Sequence, residues 1–232
     1  MASSPEMTEA IADEQGGASR LPWLVRTPRN VAWALVVFGG VGLLASFFLT
    51  VEYIHKLQAP NEALVCDLSI FVTCGPAMQS SAGAILGFPN IIIGLVTFAV
   101  TVAIGAGIFA GASYRRWFWV AFQVGLVGAA ALVSYLQWYS AFELARLCLW
   151  CMIIWAATIP LVSTGTIFNL VHGHLGAGAK RVGEKLAPFL VTIIIVWYLV
   201  VVAVAWLAWD AVRARRDLET ASDAVARLQD QV

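Results

Sequence analysis

The chain has four cysteines, and they fall into two pairs: Cys66 and Cys74 enclose seven residues, Cys148 and Cys151 only two. The second pair opens a long apolar run, Leu147-Cys148-Leu149-Trp150-Cys151-Met152-Ile153-Ile154-Trp155. A helix puts residues i and i+3 on one face, so these two sulfurs can meet and form a disulfide. At the N-terminal turn of a helix the macrodipole favours the thiolate, the form that does exchange chemistry. Two dithiol pairs suit a relay. A loop pair takes electrons from a reduced partner protein and passes them, through a mixed disulfide, to a pair at the membrane edge. The terminal acceptor must then live in the bilayer, and a quinone is apolar, carries two electrons and moves in lipid. Cys151, one turn deeper than Cys148, would face it. The same cysteines also admit two inert disulfides, or a zinc site of four thiolates.

The elements that position these thiols follow from composition. The 232 residues are 60% hydrophobic and 12% charged, with zero formal net charge and a mean hydropathy of +0.81, which is a membrane composition. Nothing in the charge balance suggests a nucleic-acid partner. Five uncharged runs are long enough to cross a bilayer: Val31–Val51, Ala84–Ala112, Trp117–Phe142, Leu147–Val171 and Leu186–Trp209. Only Glu143-Leu144-Ala145-Arg146 separates the third from the fourth, so these two form a tight antiparallel hairpin. The expected protein is an all-α membrane protein with five transmembrane helices. Residues 31–171 make a four-helix bundle around a quinone site, and 186–209 a peripheral fifth helix.

Orientation follows from Lys and Arg. With the N-terminus in the cytoplasm, Arg20, Arg26, Arg29, Arg115, Arg116, Lys180, Arg181 and Lys185 lie inside, while the outer loops hold only Lys56 and Arg146. The C-terminal tail, with Arg213, Arg215, Arg216 and Arg227, runs against this bias. All four cysteines then fall on the extracytoplasmic side of the plasma membrane, where disulfides persist. Residues 1–30 are read as a cytoplasmic tail, polar and disordered through residue 20, and 172–185 as a cytoplasmic loop. The outer loop 52–83 is followed by Gly87-Phe88-Pro89-Asn90, which leads into a helix starting near Asn90. In the tail 210–232, Ala211, Ala214, Leu218, Ala221, Val225, Leu228 and Val232 recur at heptad spacing.

The spans carry no charge, which argues against ion or proton transport. His172 and His174 read as a solvated loop. Trp138, Tyr139, Phe142, Trp150 and Trp155 crowd the outer interface as an aromatic belt. Trp155, one turn below Cys151 on its face, is placed to stack on a quinone ring. The Asn90 amide serves either a helix end or a quinone carbonyl.

Taken together, these residues resemble the vitamin K epoxide reductase family in its bacterial, stand-alone form. The likeness spans about residues 31–171. It rests on Cys66-Asp67 with Cys74, on Ser80 and Ser81, on Pro89-Asn90 with Gly94, and on Cys148-x-x-Cys151. The resemblance implies that Cys66 and Cys74 shuttle electrons, Cys148 accepts them, Cys151 contacts the quinone and Asn90 hydrogen-bonds it, with Ser80 and Ser81 nearby. It implies a menaquinone, ubiquinone or related acceptor and no metal. The implied partner is a separate thioredoxin-like or DsbA-like envelope protein. Vertebrate members carry Tyr where this chain has Trp155, and an indole donates only through its N–H, so plain quinone reduction is expected rather than epoxide turnover. The competing reading is a non-enzymatic membrane anchor or scaffold with static disulfides.

Overall fold

The computed structural model describes residues 21–60, 62, 64–67, 72–144 and 146–229. The expectations for residues 1–20 and for Val232 lie outside these. A short helix, α1 (Trp23–Arg26), leads into α2 (Pro28–Gln58). Thr27 caps α2 by accepting the Asn30 N–H, and Pro28 sits in the first turn, where a missing N–H costs nothing. No breaker intervenes before Pro60, so α2 overruns the expected Val31–Val51 and stops at Ala59, held out of helical geometry at φ −131°. Glu52 therefore lies inside the first long helix and is only 8% exposed. Residues 52–58, expected in the outer loop, are therefore the last turns of this helix.

Next come α3 (Gly75–Gln79), a 3-10 turn (Ser81–Ala84) and α4 (Asn90–Phe109). Gly87, at φ +82°, turns the chain in a conformation that only glycine adopts freely. Pro89 follows, so α4 starts at Asn90 and residues 84–89 cap the bundle instead of crossing it. α5 (Arg116–Phe142) and α6 (Leu149–Val171) form the expected hairpin. The expected loop 172–185 instead contains a helix, α7 (Ala177–Leu186), which folds back onto α6. It approaches so closely that a Cβ on Gly183 would lie 2.6 Å from that of Leu170. This return half-buries His174, expected to be solvated, while His172 is exposed. His174 stacks on Trp119 with ring centroids 5.4 Å apart, and its Nδ1 lies 3.2 Å from Oδ1 of the fully buried Asn169.

A 3-10 turn (Ala187–Phe189) joins α7 to α8 (Leu190–Gln229). At 1.5 Å per residue, the 40 residues of α8 reach roughly 60 Å, about twice a bilayer core. The fifth span and the heptad-patterned tail are thus one helix, on which Ala211, Ala214, Leu218 and Ala221 are exposed. The Val225 and Leu228 side chains lie outside the described set.

Among the described residues, five helices (α2, α4, α5, α6 and the run containing α8) are long and apolar enough to cross a membrane. α6 is the most buried and α8 the least, so α6 is the axis of the bundle and α8 a peripheral strut. α2 packs on α4 through small residues: a Cβ on Gly42 would fall 2.3 Å from the Phe98 ring. One apolar cluster (Leu35, Ile104, Trp119, Phe168 and Leu190) closes one end of the bundle. At the other end the cluster is Leu49, Leu64, Cys66, Cys74 and Cys148.

Candidate redox site and apolar cavity

Cys148 immediately precedes α6 and caps it, its sulfur accepting the Cys151 N–H at 3.3 Å. The same sulfur, fully buried, lies 3.3 Å from Sγ of Cys74. Cys74 is bonded to Cys66, with Cα atoms 6.0 Å apart, while Cys148 and Cys151 are free thiols. Three sulfurs from two loops thus form one contact chain, with Cys74 in the middle. A hydrogen bond with the Cys151 thiol, assisted by the backbone N–H groups of Cys151 and Trp150, holds the Cys148 thiol below its ordinary pKa against burial and the charge of Asp67. That favours the nucleophilic form.

Among the described residues, Asp67 is the hub of the loop that carries Cys66. Asp67 accepts hydrogen bonds from the Leu64 N–H (3.2 Å), the Thr73 hydroxyl (2.6 Å) and the Cys74 N–H (3.1 Å). Thr73 donates its N–H to the Leu147 carbonyl at 2.9 Å, and Val72 pairs with Leu147 as a single parallel bridge. This bridge places Cys74 beside Cys148. Burial raises the Asp67 pKa, but the hydrogen bonds from Thr73, Leu64 and Cys74 and the charge of Lys56 outweigh it and leave it lowered. A carboxylate with a depressed folded pKa stabilises the fold above its unfolded value, and that support is lost as pH falls through the folded value. Asp67→Ala at neutral pH, or acidification of the native chain through the carboxylate range, is expected to loosen the loop. Because Asp67 is solvent-exposed, the effect is on the order of 1 kcal/mol, a roughly fivefold faster alkylation of Cys66 after mild reduction.

Below the sulfurs lies a cavity of about 480 Å³, bounded by α2, α4, α5 and α6 and capped by α3 and the 3-10 turn. That volume is in the range of small-molecule sites. Cys151 and Trp155 share its wall, one helical turn apart, while Cys148 does not reach it. The two free thiols of α6 therefore face different things, Cys148 the loop disulfide and Cys151 the cavity.

The other sequence candidates separate. Ser80 and Asn90 line the cavity, but Ser81 does not. Ser80 donates to the Ala77 carbonyl and accepts from the Gly83 N–H, holding the cap. Ser81 is exposed, its hydroxyl 3.4 Å from that of Tyr139. Asn90 donates to the Ala82 carbonyl (2.6 Å) and accepts from the Ile85 N–H (3.3 Å), so it clamps the cap onto α4. An amide has two N–H groups and two lone pairs, which leaves capacity for one donation into the cavity. Asn90→Ala is expected to slow quinone-dependent turnover by about 5- to 150-fold, the worth of one buried hydrogen bond at about 1–3 kcal/mol. Circular dichroism checks that the fold survives, and an unchanged rate at limiting quinone would leave Asn90 a clamp only.

Sequence reasoning missed several wall residues. The α5 face comprises Gly125, Gly128, Ala129, Leu132, Val133, Leu136, Tyr139 and Ser140. Their spacing of three and four was a readable signal, with the small residues marking where the wall recedes. Tyr139, read as part of the interfacial belt, points into this wall. Ser46 of α2 also lines the cavity, with a buried hydroxyl that has no hydrogen-bond partner. Such a group fits a ligand carrying a hydrogen-bond acceptor. Among the described residues, no group of three or more His, Cys, Asp or Glu is placed to hold a metal ion.

A protein-family model described as "Vitamin K epoxide reductase family" matches residues 33–166, more than half of the chain. No curated protein and no solved structure matches it.

Proposed function

The chain belongs to the vitamin K epoxide reductase family, and from that membership we propose that it is a membrane thiol:quinone oxidoreductase that drives disulfide formation in the cell envelope. The observation that carries this reading is the placement of sulfurs: Cys148 lies 3.3 Å from Cys74, while Cys151, three residues on, lines an apolar cavity. Electrons then have a path from loop to cavity without a large movement of α6.

In this reading a thioredoxin-like partner reduces the Cys66–Cys74 disulfide from outside the membrane. Cys74 touches Cys148, so Cys66 is the sulfur left to meet the partner. Both loop cysteines are fully buried, so the loop must lift off its Leu147 contact to admit a protein. Cys74 then attacks the oxidised Cys148–Cys151 pair at Cys148, and Cys66 resolves the mixed disulfide. A quinone supplies a two-electron, two-proton acceptor when bound. The cavity residues fit one: Trp155 offers a flat face, Ser46 and Asn90 offer donors, and the remaining wall is mostly apolar. Cys151, on that wall, is the sulfur that meets it.

The test uses purified protein in detergent with a reduced thioredoxin-like protein and either menaquinone or ubiquinone. Quinone-dependent oxidation of the dithiol, absent without quinone, is the expected result. If the four cysteines stay unchanged through cycles of mild reduction and quinone addition, the disulfide is static and the chain is an anchor.

A further inference from the structure

Glu52 is the residue that the reading above leaves unexplained. It sits within a membrane-crossing helix, 8% exposed, and its Oε2 is buried without a hydrogen-bond partner. A buried carboxylate oxygen without a partner is a group whose placement calls for an explanation. One turn before it on α2, Phe48 stacks on Trp150, with ring centroids 5.0 Å apart and planes 15° apart. One turn after it, Lys56 lies against Gly75, its Cε 3.9 Å from where a Cβ would stand. Trp150 lies inside the Cys148-x-x-Cys151 motif, and Gly75 follows Cys74. Positions 48, 52 and 56 follow one another up a single helix face, so Glu52 is bracketed by the flanks of the two reacting cysteines. Its neighbour Leu49 is packed in the cluster with Cys66, Cys74 and Cys148. Trp150 supplies the complementary observation, since its Nε1–H is also buried without a partner. An orphaned acceptor and an orphaned donor thus share one side of the sulfur cluster.

Glu143 and Arg146 lie in the turn between α5 and α6, and the other charged groups at this end of α2 and in its loop have partners. His55 pairs with Glu62 at 3.1 Å, and Lys56 donates to the Glu62 carbonyl at 3.4 Å. Asp67 is bound by three donors and held in its ionised form. α4 has no ionisable side chain, and α6 presents only Cys148 and Cys151 here.

We propose that Glu52 carries the proton of the exchange between the two cysteine pairs, from its place beside Trp150 of the motif. This rests on the relay reading above. The step is balanced without any outside oxidant. The Cys148 S–H proton passes to the Glu52 carboxylate, the Cys148 sulfur bonds to Cys74, the Cys66–Cys74 bond breaks, and Cys66 leaves as a thiolate that takes up a proton. In the working direction the same carboxyl returns the proton to Cys148 as Cys66 expels it.

The experiment needs no quinone. In full-length Cys151→Ser protein, exchange stops at the Cys74–Cys148 bond and frees Cys66. A jump from acid to each of a series of pH values starts the reaction, and acid quenching, alkylation and mass spectrometry count freed Cys66. Adding Glu52→Gln is expected to slow this release at least tenfold, at or below the low end of general acid–base effects. It is also expected to change the shape of the rate–pH curve. Glu52→Asp should restore that shape. Trp150→Phe, which keeps the stack on Phe48 but lacks the N–H, should shift the curve. These last two variants carry the test if Glu52→Gln does not fold. A Glu52→Gln curve of unchanged shape, whether superposed or uniformly lowered, would make Glu52 structural and overturn the proposal. Absence of exchange in the Cys151→Ser parent itself would overturn the relay, and this inference with it.

Discussion

Replacing Cys66 and Cys74 together by Ser is expected to abolish oxidation of a protein dithiol while leaving part of the oxidation of a small permeant dithiol. Cys148→Ser or Cys151→Ser is expected to abolish both. The asymmetry follows from position. In the proposed relay the loop pair meets the bulky partner, and its disulfide is in contact with Cys148. A small dithiol does not need this adaptor, because exchange requires only access to a sulfur and a thiolate to attack it. The cavity offers it an approach through Cys151. Nothing substitutes for Cys151 as the sulfur on the cavity wall. Rates with both substrates on four single variants and the double variant decide the matter. Loop variants that lose small-dithiol turnover as completely as Cys151→Ser would contradict the order Cys66, Cys74, Cys148, Cys151.

The second large effect concerns the cavity. Gly128 lines it, and a Cβ placed there would meet nothing within 4 Å. A side chain added at this position grows into open space instead of a neighbouring helix. It should also favour the helix, since glycine in a helix interior is poorer than other residues by roughly 0.5–1 kcal/mol. Gly128→Phe is therefore expected to leave the protein folded and its thiol exchange intact, while the KM for quinone rises at least about tenfold as the ring takes the ligand's space. Thermal unfolding and the Cys66-release assay monitor the first two, and initial rates against quinone concentration the third. An unchanged KM would place the quinone elsewhere. Gly42 gives the contrast: a Cβ there would meet the Phe98 ring at 2.3 Å, so a substitution of similar size would strain the bundle and not fill a cavity.

The candidate site was legible in unequal parts. The cysteine pairs could be read because spacing along a chain is itself a structural fact, and i, i+3 on a helix is local geometry. Trp155 could be set one turn from Cys151 for the same reason, and both line the cavity. Ser80 and Ser81 look alike in sequence, yet one lines the cavity and the other faces the surface, because the 3-10 turn that begins between them rotates one inward. Asn90 was read as a ligand donor or a helix-end residue, and it lines the cavity while clamping the cap. That dual use depends on where Ala82 and Ile85 fold back, and no local pattern records it. Glu52 was assigned to a loop because a charge was taken to end the span. The helix continues because nothing before Pro60 breaks it, and burial follows from the loop and α6 packing over it.

The sequence by itself determined the class of protein and the number of long apolar helices. Partition into lipid is a sum over neighbouring residues, and a run of about twenty either satisfies it or does not. It also supplied the four thiols of the proposed relay, in two pairs. Only the tertiary structure decided that Cys74, not Cys66, touches Cys148. These sulfurs are 74 residues apart in the chain, and their 3.3 Å contact exists because the Thr73–Leu147 hydrogen bond and the Val72–Leu147 bridge hold two loops together. The cavity, too, is a property of the assembled helices. Its walls come from four segments that pack tightly at Gly42 and recede at Gly128, and a gap between helices has no representation in any one of them.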